Sequence, residues 1–130
     1  MNKSALISKL TALALLLLLG ASPALVQADD AAAARTIASI LTDLNHFPSD
    51  EDKAALMEIA GDSSNSEAYR TIAEAVHNIQ HSATDADKAR LSEIIDNGSA
   101  PADARALAEI IMGISHVPSD TAKVRLAAIM

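Results

Sequence analysis

Two histidines four residues apart, His77 and His81, are the first pair in this chain that could do chemistry. On a helix, residues at i and i+4 share a face, and two imidazoles so placed form half of a zinc or copper site. Thirty-five residues on, the same spacing joins Met112 to His116. Imidazole with thioether is a copper-type pair, because thioether sulfur is a soft ligand suited to Cu(I). His77, His81, Met112 and His116 are therefore the metal candidates, with Zn or Cu as the ion. In the first segment Thr42 stands where His77 and Met112 stand in the others, and it supplies no such ligand.

These residues belong to a longer pattern. His46-Phe-Pro-Ser-Asp-Glu-Asp-Lys53 returns as His81-Ser-Ala-Thr-Asp-Ala-Asp-Lys88 and as His116-Val-Pro-Ser-Asp-Thr-Ala-Lys123, at a step of 35 residues both times. Arg35, Ala38, His46, Asp50, Lys53, Leu56 and Ile59 each have an identical counterpart 35 and 70 residues later. A fixed period of roughly 20–50 residues marks a helical repeat array. A residue copied into each unit at one joint also has an architectural explanation. At the C-terminal end of a helix, imidazole can bond the last free carbonyls and its cation suits the dipole. His46, His81 and His116 fit that role, and pH sensing is a further use of such a residue.

The elements that must position them are helices. Ile37, Ile40, Leu41 and Leu44 lie at i, i+3, i+4 and i+7, and Ile72, Val76 and Ile79, then Leu107, Ile110, Ile111 and Ile114, continue the stripe. Call these segments helix A of each unit. Pro48 breaks the first, and Ser49, Thr84 and Ser119 are N-caps for a second helix in each unit. Asp52 completes a capping box with Ser49, and Ser64 with Glu67, or Ser66, starts the next unit. Ser99 or Asp103 caps the third helix A, with Pro101 in the first turn. Gly61 and Asn97-Gly98 end the second helices of units one and two. The Asp50–Lys53, Asp85–Lys88 and Asp120–Lys123 pairs are first-turn chemistry, worth about 0.2–0.5 kcal/mol each. The three recurring arginines, at helix N-termini where a cation is disfavoured, are expected to reach an aspartate of a neighbouring unit. No segment alternates like a strand. The fold expected is all-α, three tandem 35-residue αα-hairpins over 29–65, 66–100 and 101–130, stacked as a short solenoid or closed into a compact bundle. The period is similar to that of the tetratricopeptide array, whose unit is also a helix pair. That array's tryptophan-bearing face is absent, since the chain has no Trp, so the likeness is one of architecture.

Residues 1–28 read as a cleaved secretory signal peptide. Lys3 and Lys9 precede the apolar run Leu10–Leu19, and Val26-Gln27-Ala28 is a small-residue exit. That places the protein in the periplasm or outside the cell, with no stable membrane anchor after cleavage. Without cysteine, neither a lipid anchor nor a disulfide staple is available. The remaining 102 residues carry 8 basic and 17 acidic side chains, a net −9 that argues against nucleic acid as a partner.

For catalysis the sequence offers no Gly-rich phosphate loop, no His-Glu-x-x-His and no nucleophile elbow. The function expected first is thus an interaction module for a periplasmic protein or peptide, with no catalytic residues and no cofactor. A small metal-binding protein is the alternative, and an enzyme whose site is assembled only in space is the third. Phe47 and Tyr69, the only aromatics, are the candidate partner-binding anchors. The last helix lacks a polar cap, so homodimerisation through the C-terminal end is also expected.

Overall fold

The computed structural model describes residues 29–130, and the expected signal peptide lies outside them. Helix α1 covers 29–42, followed by α2 (Asp50–Gly61), α3 (Glu67–His77), α4 (Asp85–Asp96), α5 (Ala102–Met112) and α6 (Asp120–Ala127). Among the described residues there is no strand, only isolated bridges at three loop apices. The fold is all-helical and compactly packed. No described helix is long and apolar enough to cross a membrane.

Helix starts follow local chemistry. The hydroxyls of Ser49, Thr84 and Ser119 accept from the amides of Asp52, Asp87 and Ala122, each at 3.1 Å. Ser49 N–H donates in return to Asp52 Oδ2 at 3.3 Å, which completes the capping box. Helix α3 starts differently from the Ser64 box. Ser66 is its N-cap, its side chain makes no capping bond, and its N–H donates to Asp30 Oδ1 on α1 at 2.7 Å. Ser64 bonds Asp62 instead, and Pro101 stands at the N-cap of α5. Asp30 thus replaces a local cap with a tertiary one.

Helices α1, α3 and α5 form the inner layer. Ile37, Ala38 and Leu41, Ile72, Ala73 and Val76, and Leu107, Ala108 and Ile111 are all without solvent exposure. Helices α2, α4 and α6 lie outside and bury little more than Leu56 and Ile59, Leu91 and Ile94, and Leu126. Helix α3 packs against α2, α4 and α5. Two ion pairs tie outer helix to inner: Arg90–Glu74 and Arg125–Glu109, each at 2.8 Å and half-exposed. Their exposure limits each to about 0–1 kcal/mol. The recurring arginines do not make the aspartate contacts expected of them. Among the described residues Arg35, Arg70 and Arg105 form no ion pair, and the Nε atoms of Arg70 and Arg105 are buried without a partner.

Ala38, Ala73 and Ala108 show why the inner helices can share one core: at each, a methyl fills the available space. Ala73→Leu is expected to destabilise by roughly 1–3 kcal/mol through overpacking. The same change at exposed Ala127 should leave a denaturant melt within about 0.5 kcal/mol of the parent.

Candidate metal centre

Each inner helix ends in the same way. The amides of Leu44, Ile79 and Ile114 bond the carbonyls of Leu41, Val76 and Ile111, and these three side chains sink into the core. Four residues further on, Pro48, Ala83 and Pro118 are buried again. Between these two anchors only three residues remain, and the central one is His46, His81 or His116. To reverse direction in so short a span, all three histidines take positive φ, at 70°, 69° and 71°. They are the only non-glycine residues among those described to do so. At His46 and His116 the following amide bonds back to the preceding carbonyl at 2.9 Å, the pattern of a γ-turn. At His81 the bond runs from Gln80 N–H to Ser82 O at 3.3 Å. A side chain held in this region costs of order 1–3 kcal/mol and persists only where the surroundings over-determine it.

What over-determines it is a closed triangle. His46 N–H donates to His116 O at 2.7 Å, His81 N–H to His46 O at 2.7 Å, and His116 N–H to His81 O at 2.6 Å. The backbone triangle carries its side chains into one cluster. Ring centroids lie 5.1 Å apart for His46–His81 and His46–His116, and 4.9 Å for His81–His116. One ligand nitrogen from each ring falls within 4.8 Å of the others, with His46 half-buried and the other two exposed.

These distances can be tested against a metal. Zinc sits about 2.05 Å from a ligating imidazole nitrogen, hence about 3.2 Å from the ring centroid, and tetrahedral angles then place centroids about 5.2 Å apart. The rings therefore already stand at the spacing that a tetrahedral ion imposes. A bound tetrahedron needs the nitrogens about 3.3 Å apart, closer than the 4.8 Å within which they lie, so binding an ion would require the rings to turn inward. The outer hydrogen bonds fit as well. His46 Nδ1 lies 2.6 Å from Asn45 Oδ1, a partner of the kind that orients a metal-ligating imidazole from its other nitrogen. His116 Nδ1 lies 3.2 Å from Ser115 Oγ.

Of the four metal candidates read from the sequence, the fold brings two together, His81 and His116, and adds His46. His77 does not join them. The shared-face argument needed a helix running through His81, but α3 ends at His77 and α5 at Met112. His77 instead lies 3.2 Å from Asn78 Oδ1 and lines an open cleft of about 630 Å³ with Lys53, Gln80 and Asp85. Met112 packs, partly buried, against the core. Nor do the three clustered imidazoles bond helix C-terminal carbonyls. The rings of His46 and His116 meet the side chains of Asn45 and Ser115, and the main-chain groups of all three histidines make the triangle.

The aromatic pair divides. Phe47 is 58 % exposed at the apex next to His46, whereas Tyr69 is 3 % exposed and belongs to the core. Tyr69 is thus not a surface anchor. Its counterparts 35 residues before and after, Ala34 and Ala104, are also buried, so the same position in each segment faces the core. Burial, followed by the nearby charges of Asp103 and Asp30, pushes its phenol up to about 12.

Two outcomes follow from these local states. Glycine tolerates positive φ without strain, so His81→Gly is expected to match or exceed the parent by up to about 1 kcal/mol in a metal-free melt, with His81→Ala below it. For Tyr69, the unfolded chain loses its proton near pH 10 while the folded chain keeps it to about 12. Stability should therefore fall as pH rises through that window, by about 2–3 kcal/mol at its top. Tyr69→Phe removes that part of the loss. With one tyrosine and no tryptophan in the chain, phenolate absorbance reads this group alone.

Comparison with protein-family models, curated proteins and solved structures finds no match to this chain.

Proposed function

We propose that the chain is an exported metal-binding protein. In this reading three 35-residue helical hairpins close on one another and hold a single transition-metal ion on His46, His81 and His116. The observation that carries it is the coincidence of strain and spacing. Three histidines keep an unfavourable backbone conformation, and their rings stand 4.9–5.1 Å apart. If these residues only turned the chain, asparagine or glycine would do so at lower cost. A set of three imidazoles suits zinc, and copper(II) would compete for it on affinity alone. The preference for copper(I) drawn from Met112 loses its basis once the thioether lies in the core. Export to the periplasm rests on residues 1–28.

A second reading, an interaction module, is favoured by one observation. Phe47 and Val117 are large apolar side chains left 58 % and 47 % exposed on the loops that bear His46 and His116. They would anchor a protein or peptide at the histidine face. Self-association through α6 would draw on Val124 and Met130, which are likewise exposed.

Zinc titration in competition with a chromophoric chelator separates these readings. One ion per chain is expected, with affinity lowered about a hundredfold or more in His81→Gly and unchanged in His77→Ala and Met112→Ala. Binding should also weaken in acid, where protons compete with the metal for the imidazole nitrogens. Loss of binding in His77→Ala, or no binding by the parent, would sink the metal reading.

A further inference from the structure

A metal on this triad would have three protein ligands and no fourth. The cluster holds only His46, His81 and His116, no other His, Asp or Glu among the described residues joins it, and the chain has no cysteine. Structural zinc sites are closed by four protein ligands, whereas sites with three keep a position for water. Here that position would be open to solvent, since His81 and His116 are exposed. Zinc lowers the pKa of a bound water to about 7, so hydroxide would be available as a nucleophile near neutral pH. The residues that directly follow the three ligands are Phe47, Ser82 and Val117. Two are exposed and apolar, and the third carries a hydroxyl. An ester with an apolar acyl chain fits such a rim. Phe47 and Val117, exposed beside His46 and His116 in the chain, would supply apolar surface for the acyl chain of an ester whose carbonyl meets the metal.

We propose, resting on the metal reading above, that the zinc-loaded protein is a hydrolase of esters with short apolar acyl groups. In the zinc-loaded protein, water at the open position would give one proton to solvent, and its oxygen would bond to the acyl carbon. The carbonyl electrons move onto oxygen and return as the bond to the alcohol oxygen breaks. The leaving oxygen would keep the bonding electron pair and take a proton from solvent, and the product would leave as the carboxylic acid, which gives its own proton to solvent. Ester and water become acid and alcohol, with no oxidant or second substrate. His46, His81 and His116 hold the ion, and Phe47 is the specificity residue.

The test uses the protein with one equivalent of zinc and the 4-nitrophenyl esters of acetate and hexanoate, with zinc occupancy measured in the same samples. The expected result is hydrolysis roughly tenfold or more above equimolar free zinc, rising with pH to a plateau with a midpoint near neutral. It should vanish with chelator and in His81→Gly. Phe47→Ala should retain zinc and lose the preference for hexanoate through a raised KM, while Ala127→Leu, away from the site, leaves turnover of both esters unchanged. Full zinc occupancy with no hydrolysis above free zinc would overturn this inference and leave the metal reading standing. Hydrolysis that persists in chelator would also overturn it, because imidazole alone would then be the nucleophile. Failure to bind zinc would remove both.

Discussion

Three backbone hydrogen bonds of 2.6–2.7 Å, closing a triangle through His46, His81 and His116, are the constraint on which the site depends. Each apex must project its N–H toward one neighbour and its C=O toward the other, and positive φ is what turns the two groups that way. The strain is held in place from both sides. Leu44, Ile79 and Ile114 enter the core before the turn, and Pro48, Ala83 and Pro118 enter it after. Loop length, buried anchors and the triangle agree, and the imidazoles are carried to a common point as a consequence.

That geometry inverts the ordinary meaning of repetition. In an open array, a residue that recurs every 35 positions appears at separated joints, and architecture is the economical explanation. When the equivalent joints meet, the three copies become neighbours and form one site. The ion pairs show the same helical positions without this convergence. Arg90–Glu74 and Arg125–Glu109 are related by the 35-residue step, yet each remains a separate surface contact of modest value.

The two layers explain why the apices are held firmly. The inner helices are buried along one side down to Ala38, Ala73 and Ala108, so their ends have little freedom to shift. Where a larger side chain is accepted, as at Tyr69, its counterparts 35 residues before and after are Ala34 and Ala104. The outer helices contribute few buried side chains. They begin at fixed points, because Ser49, Thr84 and Ser119 cap them immediately after the turns.

The sequence by itself determined what depends on near neighbours. The helical stripes, the hydroxyl caps of Ser49, Thr84 and Ser119, and the Ser49–Asp52 box all involve groups within a few residues. It could not determine which ligands meet. The i, i+4 spacing of His77 and His81 assumes a continuous helix, and Ile79 ends that possibility by turning into the core after α3. Met112 and His116 fail to pair for the same reason. Tyr69 and Phe47 are equally ambiguous as letters, and only the surrounding helices make one of them core and the other surface. Tertiary structure alone decided the meeting of His46, His81 and His116. Residues 35 and 70 apart can be joined only by packing of the segments between them, and no local propensity encodes that contact.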